Sequence, residues 1–323
     1  GTARTHVSPL WWAGQHGPES AGLVQAGVIA RLVTAVLLLH RCRQLVAVGL
    51  RPTWDQGAAA GLMVFGGWVT VTTVIGPVMV GLDRFVIGWL YGARAVSYYT
   101  IAFQLAERIT VLSSSLNFAL FPRLAANQTD YERSTLGIEA VTALVLVLSP
   151  FVAAAILLIG PFLSWWISAE MAAVATPVAQ VFLMGFWINS LALVPYHQLQ
   201  AQGRPDLVAK CHLLELLPYV ALLYIAVQKY GLMGAAVVFC VRATVDFILL
   251  AGFAGALKRS LPVMAVPACG LLLICSVVLT AAPLSMWQWV GGLSLCAGLL
   301  AWSLQRAPLW LREAVSRRLL ALR

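Results

Sequence analysis

The chain has 323 residues, of which 61% are hydrophobic and only 10% are charged, and its formal net charge is +9. Soluble domains carry about 25% charged residues, so this composition excludes a water-soluble globular fold. The positive charge does not indicate a nucleic-acid partner, because Lys and Arg gather in short segments between apolar runs, as they do in the cytoplasmic loops of membrane proteins.

Apolar runs of about 20 residues, the length that crosses a bilayer, recur along the chain. Lipid offers the backbone no hydrogen-bond partners, so we predict an all-α, polytopic bundle of transmembrane helices. The second run is long, and Pro77 is its predicted kink site. The pattern predicts about nine spans, at residues 21–39, 60–91, 95–122, 138–160, 173–198, 211–229, 231–257, 262–281 and 287–304.

The basic residues between these spans predict the orientation. Three of them, Arg4, Arg94 and Lys229, fall on one side, and fourteen fall on the other. The positive-inside rule places the richer side, and with it the C-terminus, in the cytoplasm. The fourteen are Arg41, Arg43, Arg51, Arg123, Arg133, Arg204, Lys210, Lys258, Arg259, Arg306, Arg312, Arg317, Arg318 and Arg323.

The two ends of the sequence are more polar than its centre. Residues 1–20 open without Met and show no signal peptide, so we predict an exterior loop and expect the chain to be the C-terminal part of a longer protein. Residues 305–323 are basic and amphipathic, which predicts a cytoplasmic tail that lies on the anionic leaflet.

Charged residues inside the predicted spans are the candidate functional groups. A charge at the bilayer centre costs about 2.5–3.5 kcal/mol on insertion scales, so these groups must face a bundle interior or a watery cavity. The first interpretation is structural pairing, for which Arg242 and Asp246 have the right i, i+4 spacing. The second interpretation is a polar cavity, and it is favoured because so many charged residues fall inside the predicted spans. They are Arg31, Arg84, Arg108 and Arg242 with Asp83, Glu107, Asp246 and Glu215.

The chemistry of these side chains suggests their roles. Guanidinium matches phosphate through its bidentate fork, so Arg31, Arg84, Arg108 and Arg242 are predicted to bind an anionic substrate. The four acids are predicted to bind a coupling ion, either a proton or sodium. The sequence shows no metal-ligand pattern and no nucleophile–base arrangement, so we predict neither a metal nor an enzyme.

Five motifs follow one another along the chain: DRFVIG at 83–88, AVSYY at 95–99, FPRL at 121–124, LQAQGRP at 199–205 and YGLMGAA at 230–236. These motifs resemble those of the Wzx-type oligosaccharide flippases, which belong to the multidrug/oligosaccharidyl-lipid/polysaccharide (MOP) exporter superfamily. Residue 97 is Ser where that family commonly has Gly, so one small residue replaces another.

The resemblance implies a MATE-like architecture of two six-helix lobes around a central lumen. Residues 21–57 are then the last helix of the N-terminal lobe and a cytoplasmic linker, and residues 58–259 are the C-terminal six-helix lobe. Residues 260–304 are an extra transmembrane hairpin.

The resemblance also implies a flippase in the bacterial cytoplasmic (inner) membrane, which moves undecaprenyl-pyrophosphate-linked oligosaccharides for O-antigen, capsule or exopolysaccharide synthesis. Its implied partners are the lipid-linked substrate, membrane lipids, a polysaccharide polymerase and a chain-length regulator. Two alternatives stay open, an ion-coupled drug exporter of the same superfamily and a truncated, non-transporting fragment.

Overall fold

A computed structural model describes residues 20–45, 55–125, 129–280 and 285–306, and these residues are almost entirely helical, without a β-strand. The all-α prediction is therefore confirmed for them. The predicted exterior loop, the 46–54 part of the linker and the tail beyond residue 306 lie outside the described residues. The helices are α1 (Ser20–Leu45), α2 (Gln56–Glu107), α3 (Thr110–Ala125), α4 (Asp130–Trp166), α5 (Ala169–Ala201), α6 (Pro205–Phe253), α7 (Leu257–Thr280) and α8 (Met286–Arg306).

The chain divides into two compact units, Gly1–Ala60 and Gly61–Arg323. The first contains α1, whose apolar side chains are largely exposed. The second contains the candidate site and is described below. The predicted lobe and hairpin boundaries at 58–259 and 260–304 stay predictions.

Two long helices are interrupted at a glycine. Gly92 has φ 79° and Gly231 has φ 58°, backbone conformations that residues with a Cβ rarely adopt. Tyr99 contacts Asp83 across the first break. Sixteen residues of straight helix would span about 24 Å, so this contact requires that the two parts of α2 fold back on each other. The break at Gly92 matches the predicted gap between the second and third spans, whereas α2 continues as helix through Pro77.

Local sequence signals explain the other helix ends. Thr129 and Glu132 form a capping box at the start of α4, and the Ser168 side chain caps α5. Helices α5 and α6 end in Schellman motifs with Gly203 and Gly255 in the left-handed conformation. The predicted helix positions after residue 129 are therefore close to those observed.

Helix α5 is central to the packing and contacts α3, α4, α6 and α7, while α8 packs on α4 and α7. Its buried face carries Phe182, Phe186 and Trp187, and the Trp187 indole donates to the Ser149 hydroxyl of α4 at 3.2 Å. Large apolar side chains on the outer faces of the bundle are exposed, as lipid contact requires.

Five helices of the described chain are long and apolar enough to cross a membrane, namely α2, α4 from Tyr131 onward, α5, α6 and α7. This confirms a polytopic membrane protein. The count of nine spans and the orientation stay predictions.

Candidate functional site

One polar cluster is buried among the helices of the second unit, and we call it the buried polar cluster. Tyr219 interacts electrostatically with Asp83 and Arg84 of α2 and with Arg242, and Glu215 interacts with Asp246 and Arg242. The chain therefore brings together residues that are far apart in sequence. The members are Asp83, Arg84 and Tyr99 from α2 and His212, Glu215, Tyr219, Arg242 and Asp246 from α6.

The α2 part of the cluster is held by the fold of that helix at Gly92. Asp83 is only 1% exposed, and the hydroxyl of Tyr99 donates a hydrogen bond to its carboxylate. The backbone N–H of Arg84 donates to the same carboxylate at 3.1 Å. The partner of the Asp83 carboxylate is therefore a phenol from the other helical part of α2.

Two guanidinium groups of the cluster stand over aromatic rings. The guanidinium carbon of Arg84 lies 4.6 Å from the centre of the Phe103 ring. That of Arg242 lies 5.4 Å from the centre of the Phe239 ring. The rings of Phe103 and Phe239 are themselves in edge contact, with centres 5.9 Å apart. Cation–π attraction therefore holds both charges against one aromatic cluster.

The ion pair that the i, i+4 spacing of Arg242 and Asp246 allows is not formed in the described structure. Asp246 instead lies 3.4 Å from the Nε2 atom of His212, and Arg242 faces the rings of Tyr219 and Phe239. The i, i+4 spacing allowed the pair, but the two parts of α6, folded back at Gly231, offer each side chain a different partner. Among the described residues, neither Arg84 nor Arg242 lies within 4.0 Å of a carboxylate.

The acids of α6 are the least satisfied groups of the cluster. Glu215 is 6% exposed, and within the described structure neither of its carboxylate oxygens has a hydrogen-bond partner. Asp246 is 5% exposed, and its Oδ1 atom also lacks a hydrogen bond there. A cavity of about 210 Å³ between the two parts of α6 is lined by Glu215, Tyr219 and Arg242 among apolar side chains.

Glu107 and Arg108, two of the predicted site residues, are exposed at a turn between α2 and α3 and are outside this cluster. The turn at residues 108–109 interrupts the helix within the predicted span 95–122, and that span stays a prediction. Arg31 is exposed on α1, which belongs to the first unit.

Sequence reasoning missed Tyr99, His212 and Tyr219. Tyr99 lies in one of the quoted motifs, but nothing in the sequence shows that it reaches Asp83. His212 and Glu215 are three residues apart and Tyr219 follows at four, so a shared helix face was the available signal. In the part of the chain that is described, His, Cys, Asp and Glu form no group that could hold a metal ion.

The long apolar helices, with a polar cluster buried among them, make this chain a polytopic membrane protein with an internal polar site. Residues 16–158 match the model of a family described as polysaccharide biosynthesis protein. The chain is also 32% identical over 231 residues to a Shigella flexneri protein named "Putative O-antigen transporter". These matches agree with the resemblance to the Wzx-type flippases, because the family's name refers to polysaccharide biosynthesis and the Shigella protein's name to a transporter.

The aligned region covers 71% of this chain and 54% of the Shigella protein. The chain thus spans about half the length of that relative, so the activity of a whole transporter is a proposal for it.

Proposed function

We propose that this chain provides one lobe and its flanking helices to a flippase for lipid-linked oligosaccharides. The substrate class is an oligosaccharide on undecaprenyl pyrophosphate, and the product serves the assembly of O-antigen, capsule or exopolysaccharide. The family match, the Shigella relative and the buried polar cluster support this proposal together. The proposed location is the bacterial cytoplasmic membrane, with the C-terminus in the cytoplasm.

The observation that carries the proposal is the placement of Arg84 and Arg242 on linked aromatic rings. A ring face holds a guanidinium without adding a negative charge to it. Arg84 also interacts electrostatically with Asp83, and Arg242 with Glu215, but neither guanidinium lies within 4.0 Å of a carboxylate among the described residues. In the low dielectric of a membrane protein interior, two such charges attract a dianionic pyrophosphate strongly. Guanidinium also offers parallel N–H donors that match two phosphate oxygens.

The mechanism follows from where these charges lie. The head group would enter the lumen and bind near Arg84 and Arg242, while the undecaprenyl tail stays in the bilayer. Rocking of two lobes would then expose the same site to the other side. Arg108, exposed at the end of α2, is a candidate for an earlier contact with the head group. For Arg31, substrate binding stays a proposal.

The acids of the cluster are proposed to bind the coupling ion. Glu215 and Asp246 lie near each other, so a proton or a sodium ion between them would relieve their mutual repulsion. Asp83 already accepts a hydrogen bond from the Tyr99 hydroxyl, and Glu107 is exposed, so both are weaker candidates.

Glu215→Gln should abolish the dependence of transport on a proton or sodium gradient. Unchanged gradient dependence in Glu215→Gln and Asp246→Asn would reject this role.

The buried acids, above all Glu215 with its two unsatisfied oxygens, also favour a second candidate function, an ion-coupled exporter of cationic drugs from the same superfamily. Such a protein should protect cells from cationic compounds and should lose that protection in Glu215→Gln. The flippase instead predicts no change in drug resistance. Arg84 and Arg242 would repel a cationic substrate, whereas the three acids of the cluster would attract it, so the drug-resistance assay distinguishes the two functions.

The proposed partners are the lipid-linked oligosaccharide and membrane lipids, with a polysaccharide polymerase and a chain-length regulator acting on the delivered units.

The proposed function is tested by deleting the complete gene and measuring lipid-linked repeat units on each face of the membrane. Accumulation on the cytoplasmic face, reversed by the restored gene, is expected. Normal delivery to the outer face in the deletion strain would reject the flippase.

A further inference from the structure

A second cavity, with a polar lining, lies where α4, α6 and α7 begin and α5 and α6 end. It has a volume of about 370 Å³, and we call it the basic-end pocket. Its charged lining residues are both arginines. The lining consists of Arg133, Ser134, Gln202, Arg204, Phe253, Ala254 and Gly255.

Two helix ends of the same design form the walls of this pocket. The Arg204 N–H donates to the Leu199 carbonyl and the Ala256 N–H donates to the Ala251 carbonyl, each closing a Schellman motif. These hydrogen bonds satisfy the terminal carbonyl groups of α5 and α6. The negative ends of the two helices are therefore partly masked by their own backbone donors.

A small apolar cluster packs next to the pocket and shares Ala254 with its lining. Its members Leu199, Val208 and Leu250 are fully buried and join the end of α5 to both ends of α6. Gln198 is 1% exposed, and its side-chain amide donates to the Ala254 carbonyl at 3.5 Å. Its Oε1 atom has no partner among the described residues. Because the packing beside the pocket is already formed, a ligand pays little to order the site.

Acidic side chains at this end are already engaged. The Glu132 carboxylate accepts the N–H and the hydroxyl of Thr129 in the capping box. The Asp206 carboxylate accepts Lys210 at 2.8 Å. Lys258 and Arg259 are exposed beside the pocket, and Arg259 stands 5.9 Å from the Tyr131 ring. The local balance of charge in the described part is therefore positive.

We propose that the basic-end pocket binds the phosphate headgroup of an anionic membrane lipid. Arg204 supplies a guanidinium with its N–H donors and Arg133 adds a second positive charge, while Ser134 and Gln202 supply further polar contacts for phosphate oxygens or glycerol hydroxyls. The exposed Phe253 on the rim offers apolar contact to the acyl chains. This inference goes beyond the proposed transport function and does not depend on it.

The test measures lipid-dependent thermal stability of the purified chain in a non-ionic detergent. Phosphatidylglycerol, undecaprenyl phosphate, phosphatidylcholine and inorganic phosphate are titrated separately, and the midpoint of each stabilisation curve gives an apparent affinity. A saturable shift with either anionic lipid is expected, and which of the two binds more tightly identifies the lipid. The proposal would be overturned if inorganic phosphate alone, or phosphatidylcholine, raised the thermal stability as much as the anionic lipids do.

Matched variants show whether the lipid binds in the pocket or is attracted by surface charge in general. Arg204→Gln should weaken the apparent affinity for the anionic lipid by about tenfold, because it removes a charge-assisted contact. Arg259→Gln removes one charge from the same end without touching the pocket lining, and it should leave the affinity unchanged. If Arg204→Gln does not fold, Arg204→Lys keeps the charge but loses the bidentate fork and should bind several-fold more weakly. Equal affinity in the Arg204 and Arg259 variants would overturn the site.

Discussion

The hydroxyl of Tyr91 donates a hydrogen bond to the backbone carbonyl of Val227, with 3.1 Å between the two oxygens. Tyr91 immediately precedes the break of α2 at Gly92, and Val227 lies four residues before the break of α6 at Gly231. In a continuous helix that carbonyl would accept from residue 231. One side chain therefore joins the two places where the chain reverses direction.

Removal of this link should destabilise the bundle. Tyr91→Phe removes the donor from the Val227 carbonyl, and because Tyr91 is half exposed the expected cost is about 0.5–1.5 kcal/mol in the free energy of unfolding. Unfolding in mixed micelles measures the change. Tyr230→Phe is the control, because the Tyr230 side chain is largely exposed nearby. The same free energy of unfolding in both variants would show that the Tyr91 bond is not stabilising.

Gly234 should tolerate no side chain. A Cβ there would lie 2.2 Å from the carbonyl oxygen of Ala226, because the two parts of α6 approach closely after the break at Gly231. Gly234→Ala is expected to lower the free energy of unfolding by about 3 kcal/mol, through displaced backbone. Gly252→Ala, on the same helix and with open space around its Cβ, should be neutral or slightly stabilising. Comparable stability of the two variants would contradict this close approach.

The contact between Asp83 and Tyr99 should behave as a coupled pair. Tyr99→Phe removes the donor from a buried carboxylate and should cost about 1–3 kcal/mol. Asp83→Asn combined with Tyr99→Phe should cost less than the sum of the single changes, with a coupling free energy of about 0.5–3 kcal/mol. Tyr131→Phe, at an exposed position, is the control. Additive effects within about 0.5 kcal/mol would show that the two residues act independently.

The sequence predicted membrane helices well because the hydrophobic runs are long and the breaks are marked by glycine. The gap predicted after residue 91 coincides with Gly92, and the junction at 231 coincides with Gly231. It also predicted Asp83, Arg84, Glu215, Arg242 and Asp246 as site residues, since charges are rare in apolar runs. These five do lie in one buried cluster.

Side-chain partners could not be predicted in the same way. Arg242 and Asp246 share a helix face, and spacing alone favours their pairing. The observed contacts depend on how the chain folds back at Gly231, which brings Tyr219 to Arg242 and His212 to Asp246. Likewise, the turn at residue 108 lies within an apolar run, so periodicity gave no signal that Arg108 would be exposed.

The central claim is that Arg84 and Arg242 recognise the phosphate-bearing head of a lipid-linked oligosaccharide. Its most direct test is the initial rate of delivery of lipid-linked repeat units across membrane vesicles that contain the complete transporter. Arg84→Gln and Arg242→Gln are compared with Arg306→Gln, an exposed arginine on α8. We predict that each cluster variant is inserted normally and lowers the rate at least about tenfold, while Arg306→Gln transports at the unaltered rate. Equal rates in all three variants, at equal abundance in the membrane, would contradict the claim.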